Sequence, residues 1–153
     1  MTEHDPQVRP ARADDRETIA TFQEAMALAT EGKRLDPDVV RRGVGRALAD
    51  PDRGFYLCAT IDGRVVGSLL VTREWSDWRD GWFWWIQSVY VDESVRRRGI
   101  YRALHRAVWR LAEQTGDVIG IRLYVEDENT GAQATYRALG MQETSYRLFE
   151  QTL

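Results

Sequence analysis

The run Arg96-Arg97-Arg98-Gly99-Ile100-Tyr101 constrains this chain more than any other stretch. It follows Trp84 to Val91, an aromatic and β-branched run that reads as a strand. It precedes Tyr101 to Gln114, whose apolar residues recur at helical spacing. A basic, glycine-containing turn that opens a helix is a place to hold phosphate. Backbone N–H groups and the positive end of the helix face the anion, and arginines add charge-assisted hydrogen bonds. Glycine lets the backbone approach closely because no Cβ intervenes. The turn therefore reads as a pyrophosphate cradle. Its spacing is neither G-x-x-x-x-G-K-[ST] nor G-x-G-x-x-G, so neither a P-loop nor a dinucleotide fingerprint is supported. The competing reading is a solvated basic turn before an ordinary helix.

The rest of the chain alternates between the two periods. Val8 to Arg12 reads as a first strand, and Asp14 or Asp15 is placed to cap a helix carrying Ile19, Phe22, Met26 and Ala29. Gly32 ends that pattern. Asp36-Pro37 then reads as an N-cap with proline at the first helical position, and Val40, Val44, Ala47 and Leu48 form the next apolar stripe. Gly43 and Gly45 weaken this second helix. Phe55 to Ile61 and Arg64 to Arg73 are predicted strands around the hairpin turn Asp62-Gly63. Glu74 to Gly81 reads as a polar, tryptophan-bearing loop, and Trp82 to Val91 as a long strand. Ile100, Leu104, Ala107, Val108 and Leu111 share one face of the third helix. Val118 to Val125 is a further strand, Thr130 to Leu139 a fourth helix stopped at Gly140, and Gln142 to Gln151 a closing strand or hairpin.

At 153 residues, one domain covering 1–153 is expected. A net charge of −3 argues against general nucleic-acid binding, which calls for a basic face. No apolar run approaches membrane-span length, and the polar segment Met1 to Pro10 lacks an apolar signal core. Cys58 is the one cysteine and lies in an apolar strand, as a small core residue would. With His4 and His105 the only histidines, metal-site spacing is missing. The expectations are no metal, no nucleic acid, no membrane and a cytoplasmic address.

The Arg96 turn resembles motif A of the GNAT superfamily of N-acetyltransferases, which reads R/Q-x-x-G-x-G/A after a strand ending near V-x-V. Arg96 fills the first position and Gly99 the central glycine, while Tyr101 stands where Gly or Ala is usual. Downstream, Asn129 to Met141 is similar to motif B, about N-x-x-A-x-x-x-Y-x-x-x-G-F. Asn129, Ala132, Tyr136 and Gly140 fall at the expected spacings, with Met141 in place of Phe. The two motifs lie in order and about thirty residues apart. The resemblance covers roughly residues 7 to 150. It implies a GNAT fold, an α/β (α+β) architecture: a mixed, mostly antiparallel sheet of six to seven strands, flanked by about four helices, with the fourth and fifth strands splayed.

The resemblance also implies chemistry: transfer of an acyl group, most simply acetyl from acetyl-CoA, to a primary amine of a small molecule. The pantetheine arm would pair with the backbone of Val89, Tyr90 and Val91. The pyrophosphate would rest on the N–H groups of Arg97 to Tyr101, Ile100 among them, with side-chain contacts from Arg96 and Arg98. Asn129 matches a position that contacts the cofactor arm, though Asn also caps helices. Tyr136 matches the general acid, and its phenol is protonated at neutral pH. Many relatives carry a glutamate base at the position of Gln87. A glutamine cannot take that proton, but it can orient a water or hold the substrate. A water relay to a distant carboxylate (Glu24, Glu74, Asp77 or Asp80), an amine of low pKa, or a slow or degenerate enzyme all remain open.

Trp75, Trp78, Trp82, Trp84 and Trp85 crowd one stretch. Alternation puts Trp82 and Trp84 on one strand face and Phe83 and Trp85 on the other. Trp75 and Trp78, beside Glu74, Asp77 and Asp80, suggest an aromatic and acidic wall for a cationic amine, with Trp85 and Glu24 as further substrate candidates. A homodimer interface is the alternative use for exposed tryptophans. Two other classes compete with the enzyme: an acyl-CoA-binding module without turnover, favoured by Gln87 and Tyr101, and a nucleic-acid binder using the arginines.

Overall fold

The computed structural model describes residues 5–153; His4, with the other residues of 1–4, lies outside them. The chain forms two compact units, Met1–Leu123 and Tyr124–Leu153.

The first unit is built on one sheet in the order β1-β2-β3-β4-β5. The strands are β1 (Gln7–Pro10), β2 (Phe55–Ile61), β3 (Arg64–Ser76), β4 (Gly81–Val91) and β5 (Val118–Arg122). The first four pair antiparallel, and β5 joins β4 in parallel. Helices α1 (Arg16–Glu31) and α2 (Pro37–Ala49) precede β2, and α3 (Ile100–Thr115) connects β4 to β5. The α/β architecture is the expected one, with five strands among the described residues in place of six or seven. The difference lies at the C-terminal end. Gln142 to Gln151 forms neither strand nor hairpin.

Local signals explain most boundaries. Gly32 closes α1 in the left-handed conformation at φ 63°. Asp36 accepts hydrogen bonds from the N–H groups of Asp38 and Val39 and so starts α2, which runs its full thirteen residues despite Gly43 and Gly45. Asp15 behaves otherwise than as a forward cap. Its carboxylate reaches back to the Arg12 N–H at 2.6 Å and accepts two bonds from Arg9 at 2.7 and 3.0 Å. The predicted loop Glu74–Gly81 is half strand. Trp75 pairs with Trp82 and Ser76 with Gly81, leaving only 77–80 as the turn. Two indole rings in edge contact, 4.9 Å between centroids, hold the strands together there.

Each sheet face has its own core. The α3 side buries Leu57, Leu69, Val71, Trp84 and Ile86 against Ile100, Leu104 and Val108. The α1/α2 side buries Tyr56 and Cys58 against Ile19, Ala20 and Val44. In the second unit, α4 (Thr130–Ala138) starts at Asn129, whose side chain accepts from the Ala132 N–H at 3.1 Å. It ends at Gly140, with φ 94°.

Candidate active site

Strand β4 and the turn after it carry the site of the first unit. The ladder between β4 and β5 spans Trp82–Trp85 of β4. The ladder with β3 continues to Val91. Strands β4 and β5 therefore pair over one half of β4 and part over the other. The parting coincides with a bulge: Ser68 pairs with Tyr90 but Leu70 with Gln87, and Ser88 takes a positive φ of 54°. The extra residue reverses the alternation. Trp84 and Ile86 join the α3-side core before it, and Val89 and Val91 pack on that same core after it. Tyr90 is thereby turned to the α1 side, where its ring stacks on Phe22 at 4.6 Å. Nothing in the sequence marks Ser88 as the bulge.

The turn is pinned at both ends. Asp92 accepts from the N–H and hydroxyl of Ser94 at 2.9 and 2.7 Å, and these bonds hold its carboxyl below the usual carboxylate range. The Arg96 side chain folds back: its Nε donates to the Val91 carbonyl at 3.1 Å, and its guanidinium lies 3.8 Å from Glu93. Arg96 thus ties the turn to the end of β4. Arg97 and Gly99 are both left-handed, at φ 65° and 75°. Such residues gather N–H groups on one concave side. Gly99 is the N-cap of α3, and the Ala103 N–H makes the bond back to its carbonyl. The N–H groups of a helix's first turn have no intrahelical acceptors, so this end is electropositive. Its chain neighbours aside, a Cβ on Gly99 would meet no atom of the described residues within 4 Å. The glycine is needed for its backbone conformation, and the space in front of it is not filled by protein.

Tyr101 keeps clear of that space. Its ring packs on the α3-side core, and its hydroxyl lies 3.1 Å from His105 Nδ1, one turn along the helix. His105 is buried, which lowers its pKa and favours the neutral ring. A bulky residue at this position is accommodated because the helix itself supplies its partner.

Gln87 lies on the α1/α2 side of β4 and donates from Nε2 to Thr72 Oγ1 at 2.7 Å. Trp85 is Thr72's cross-strand neighbour and shares that face. Trp75 does not: it packs on Trp82, itself part of the α3-side core. Trp78, 84% exposed, sits in the 77–80 turn with Asp77 and Asp80. From Gln87 to Gly81 is six residues of strand, about 20 Å at the usual rise. Trp75, Asp77, Trp78 and Asp80 thus lie at the far end of β4 from Gln87. Alternation separates Trp75 from Trp85, strand length separates Trp78 from Gln87, and Glu74 is occupied by Arg122 at 2.7 Å. Glu24 lies on α1, within electrostatic reach of Arg41. Of the four substrate candidates, only Trp85 shares the Gln87 face of β4. Thr72, the fixed partner of Gln87, is a residue that sequence reading missed; only the cross-strand register reveals it. Beneath α1, Gln23 Nε2 and Ser68 Oγ are buried without a hydrogen-bond partner among the described residues.

In the second unit, Tyr136 lies on α4, where burial raises its phenol pKa above the ordinary value near 10. Asn129 is committed through its side-chain oxygen to capping that helix.

A mixed sheet whose fourth and fifth strands part beside a left-handed, arginine-flanked helix start is the architecture of an acetyltransferase. The model of the acetyltransferase (GNAT) family matches residues 45–141, and the chain belongs to this family. It is 44% identical to a possible acetyltransferase from Clostridium difficile 630, over 97% of each chain, with a TM-score of 0.90. Its fold is also that of the aminoglycoside N-acetyltransferase AAC(6')-Iy in complex with CoA, at 20% identity, 97% and 95% coverage and a TM-score of 0.79. An aminoglycoside acetyltransferase from an uncultured soil metagenomic sample shares it too, at 24% identity, 97% and 99% coverage and a TM-score of 0.72. A search of curated proteins found no match. Among the described residues, no helix is long and apolar enough to cross a membrane.

Proposed function

We propose that this protein transfers an acetyl group from acetyl-CoA to a primary amine of a small molecule. The observation that carries the reading is the turn 96–101: two left-handed residues and a helix start, with open space before Gly99. This set fits a pyrophosphate, since backbone N–H groups supply most of the contacts and the exposed Arg97 and Arg98 add charge. The β4 backbone of Val89–Val91, beyond the end of the β5 ladder, suits an extended amide-bearing arm. When bound, acetyl-CoA supplies the activated acyl group as a thioester.

The step balances without a covalent enzyme intermediate. The amine nitrogen bonds to the carbonyl carbon and the carbon–sulfur bond breaks. Tyr136 gives its hydroxyl proton to the departing thiolate, and a raised pKa keeps that proton in place until the transfer. The amine proton passes to water, because Gln87 cannot accept it. With Nε2 held by Thr72, the Gln87 amide is oriented to hold the acceptor amine or a water. The two relatives named as aminoglycoside acetyltransferases support a small polyamine as the acceptor class.

Calorimetric titration of acetyl-CoA into wild type and Gly99→Trp tests the turn. Micromolar-range binding is expected for wild type and should be lost in the variant. A folded wild type that does not bind would end the acyltransferase reading. Where binding holds, an amine screen with Tyr136→Phe follows; kcat should fall roughly 10²-fold or more. Binding without turnover of any amine would favour a sensor module.

A further inference from the structure

We propose that Thr72 is a positioning residue for acetyl transfer: it pins the Gln87 amide so that Gln87 Oε1 accepts an N–H of the acceptor amine. This rests on the acetyl-transfer reading and deepens it, committing Gln87 to the amine rather than to a water.

The contacts that hold Gln87 start outside the site. Continued by one residue, the pairing of Phe55 with Val71 sets Gly54 opposite Thr72. Gly54 is buried at φ 140°, a backbone conformation that glycine adopts at no steric cost. A Cβ there would come within 2.5 Å of the Val71 carbonyl oxygen and 3.2 Å of Thr72 Cγ2. The Thr72 methyl therefore packs over bare backbone on the β2 side. One residue further, Arg73 donates to the Pro51 carbonyl at 2.7 Å, so the turn before β2 grips β3 beside Thr72. Strands β2 and β4 flank β3 on opposite sides. With the methyl toward β2, the stiff χ1 of a β-branched residue sends the hydroxyl toward β4. There Thr72 Oγ1 accepts from Gln87 Nε2 at 2.7 Å.

That bond holds the amide and assigns its ends. Nε2 faces Thr72, and Oε1 accepts no hydrogen bond from the described residues. Oε1 is also open to approach: among the described residues, the buried side-chain polar atoms without a partner are Gln23 Nε2 and Ser68 Oγ. An amide oxygen only accepts. A primary amine brings N–H donors and must turn its lone pair to the acyl carbon. One N–H given to a fixed Oε1 orients the nitrogen and leaves the lone pair for attack. A loose amide would hold the amine in many poses.

Thr72→Val replaces the hydroxyl by a methyl of similar size, and Thr72→Ser keeps the hydroxyl without the methyl that orients it. Acetyl transfer is followed with neamine or 1,4-diaminobutane, whichever wild type acetylates faster. In Thr72→Val, kcat should fall about 10- to 10²-fold while KM for acetyl-CoA holds. Thr72→Ser should lie between that variant and wild type. On a Gln87→Ala background, Thr72→Val should change kcat by less than about twofold, because the group through which Thr72 acts is gone. By NMR, one Gln87 side-chain N–H should exchange slowly in wild type and rapidly in Thr72→Val. Equal kcat in wild type and Thr72→Val would overturn this inference alone. So would a serine variant no better than the valine one, losses that simply add on the Gln87→Ala background, or an unchanged Gln87 exchange rate. A pinned amide in a protein that acetylates neither amine would instead overturn the acetylation of small polyamines, and this inference with it.

Discussion

The two faces of the sheet differ in kind. The α3 side is mostly apolar, with the Tyr101–His105 contact its one described polar feature, and Leu69, Val71, Leu104 and Val108 are wholly buried. The α1/α2 side mixes apolar packing with chemistry. It holds the Asp15–Arg9 pair, the Cys58 thiol directed at Asp15, the Gln87–Thr72 bond and the unpartnered Gln23 and Ser68 atoms. A strand can serve both because its side chains alternate, and the bulge at Ser88 lets β4 keep valines on one side while presenting Tyr90 on the other. The lesson is a division of labour: one face supplies stability, and the other carries polar groups whose cost that stability offsets.

The comparison breaks most visibly at Leu69. Leu69→Ala removes a side chain with no exposed surface and should cost about 2–5 kcal/mol in denaturant unfolding. The coenzyme affinity of the folded fraction should be unchanged. A loss under 1 kcal/mol would mean that the α3 side is loosely packed.

Arg9→Ala attacks the polar face. The Arg9 hydrogen bonds hold the Asp15 carboxyl below its ordinary value. A lowered folded pKa means that the stabilisation is present at neutral pH and is lost as the pH falls below about 4, where the unfolded carboxylate takes its proton. The variant should lose about 1–3 kcal/mol at pH 7 and become less sensitive to acid across that window. Urea midpoints measured from pH 3 to pH 7 check both statements. An unchanged pH slope would mean that the pair does not hold Asp15 ionised.

Ser68→Ala should have the opposite sign from Leu69→Ala. It deletes a buried hydroxyl that has no partner, and stability should hold or rise by up to about 1 kcal/mol. Destabilisation beyond that would reveal a bond from Ser68 to water. The smallest effect is expected at Cys58. Burial pushes its thiol up to about 12, so the native protein should resist alkylation at pH 8 and react only when unfolded. Rapid native labelling would show that the α1/α2 side opens readily.

The comparison also sorts what could be read beforehand. The Asp36-Pro37 start, the left-handed Gly32, the Asp62-Gly63 turn and the helix stripe of Ile100, Leu104 and Val108 were legible because each rests on neighbours within a few residues. The turn 96–101 was legible for the same reason, through Arg96, Gly99 and their place between a strand and a helix. The loop expected from Glu74 was misjudged because Glu74–Ser76 continue β3 through cross-strand pairing with β4, which polar composition does not reveal.

The sequence alone thus determined the element order as far as α4, the Asp36 cap and the Gly32 stop, the turn that opens α3 and the membership that its motifs announce. All of these depend on local backbone preference and side-chain spacing. Only the tertiary structure decided that Arg96 anchors the turn to β4 and that Tyr101 is drawn to His105. It also decided that Gln87 is held by Thr72, that Ser88 reverses the alternation of β4, and that Gln142 to Gln151 stands outside the sheet. The contacts of Gln87 and the bulge at Ser88 depend on strand register, which joins residues far apart in the chain. Whether a segment finds a strand partner depends on which edges the rest of the fold leaves free.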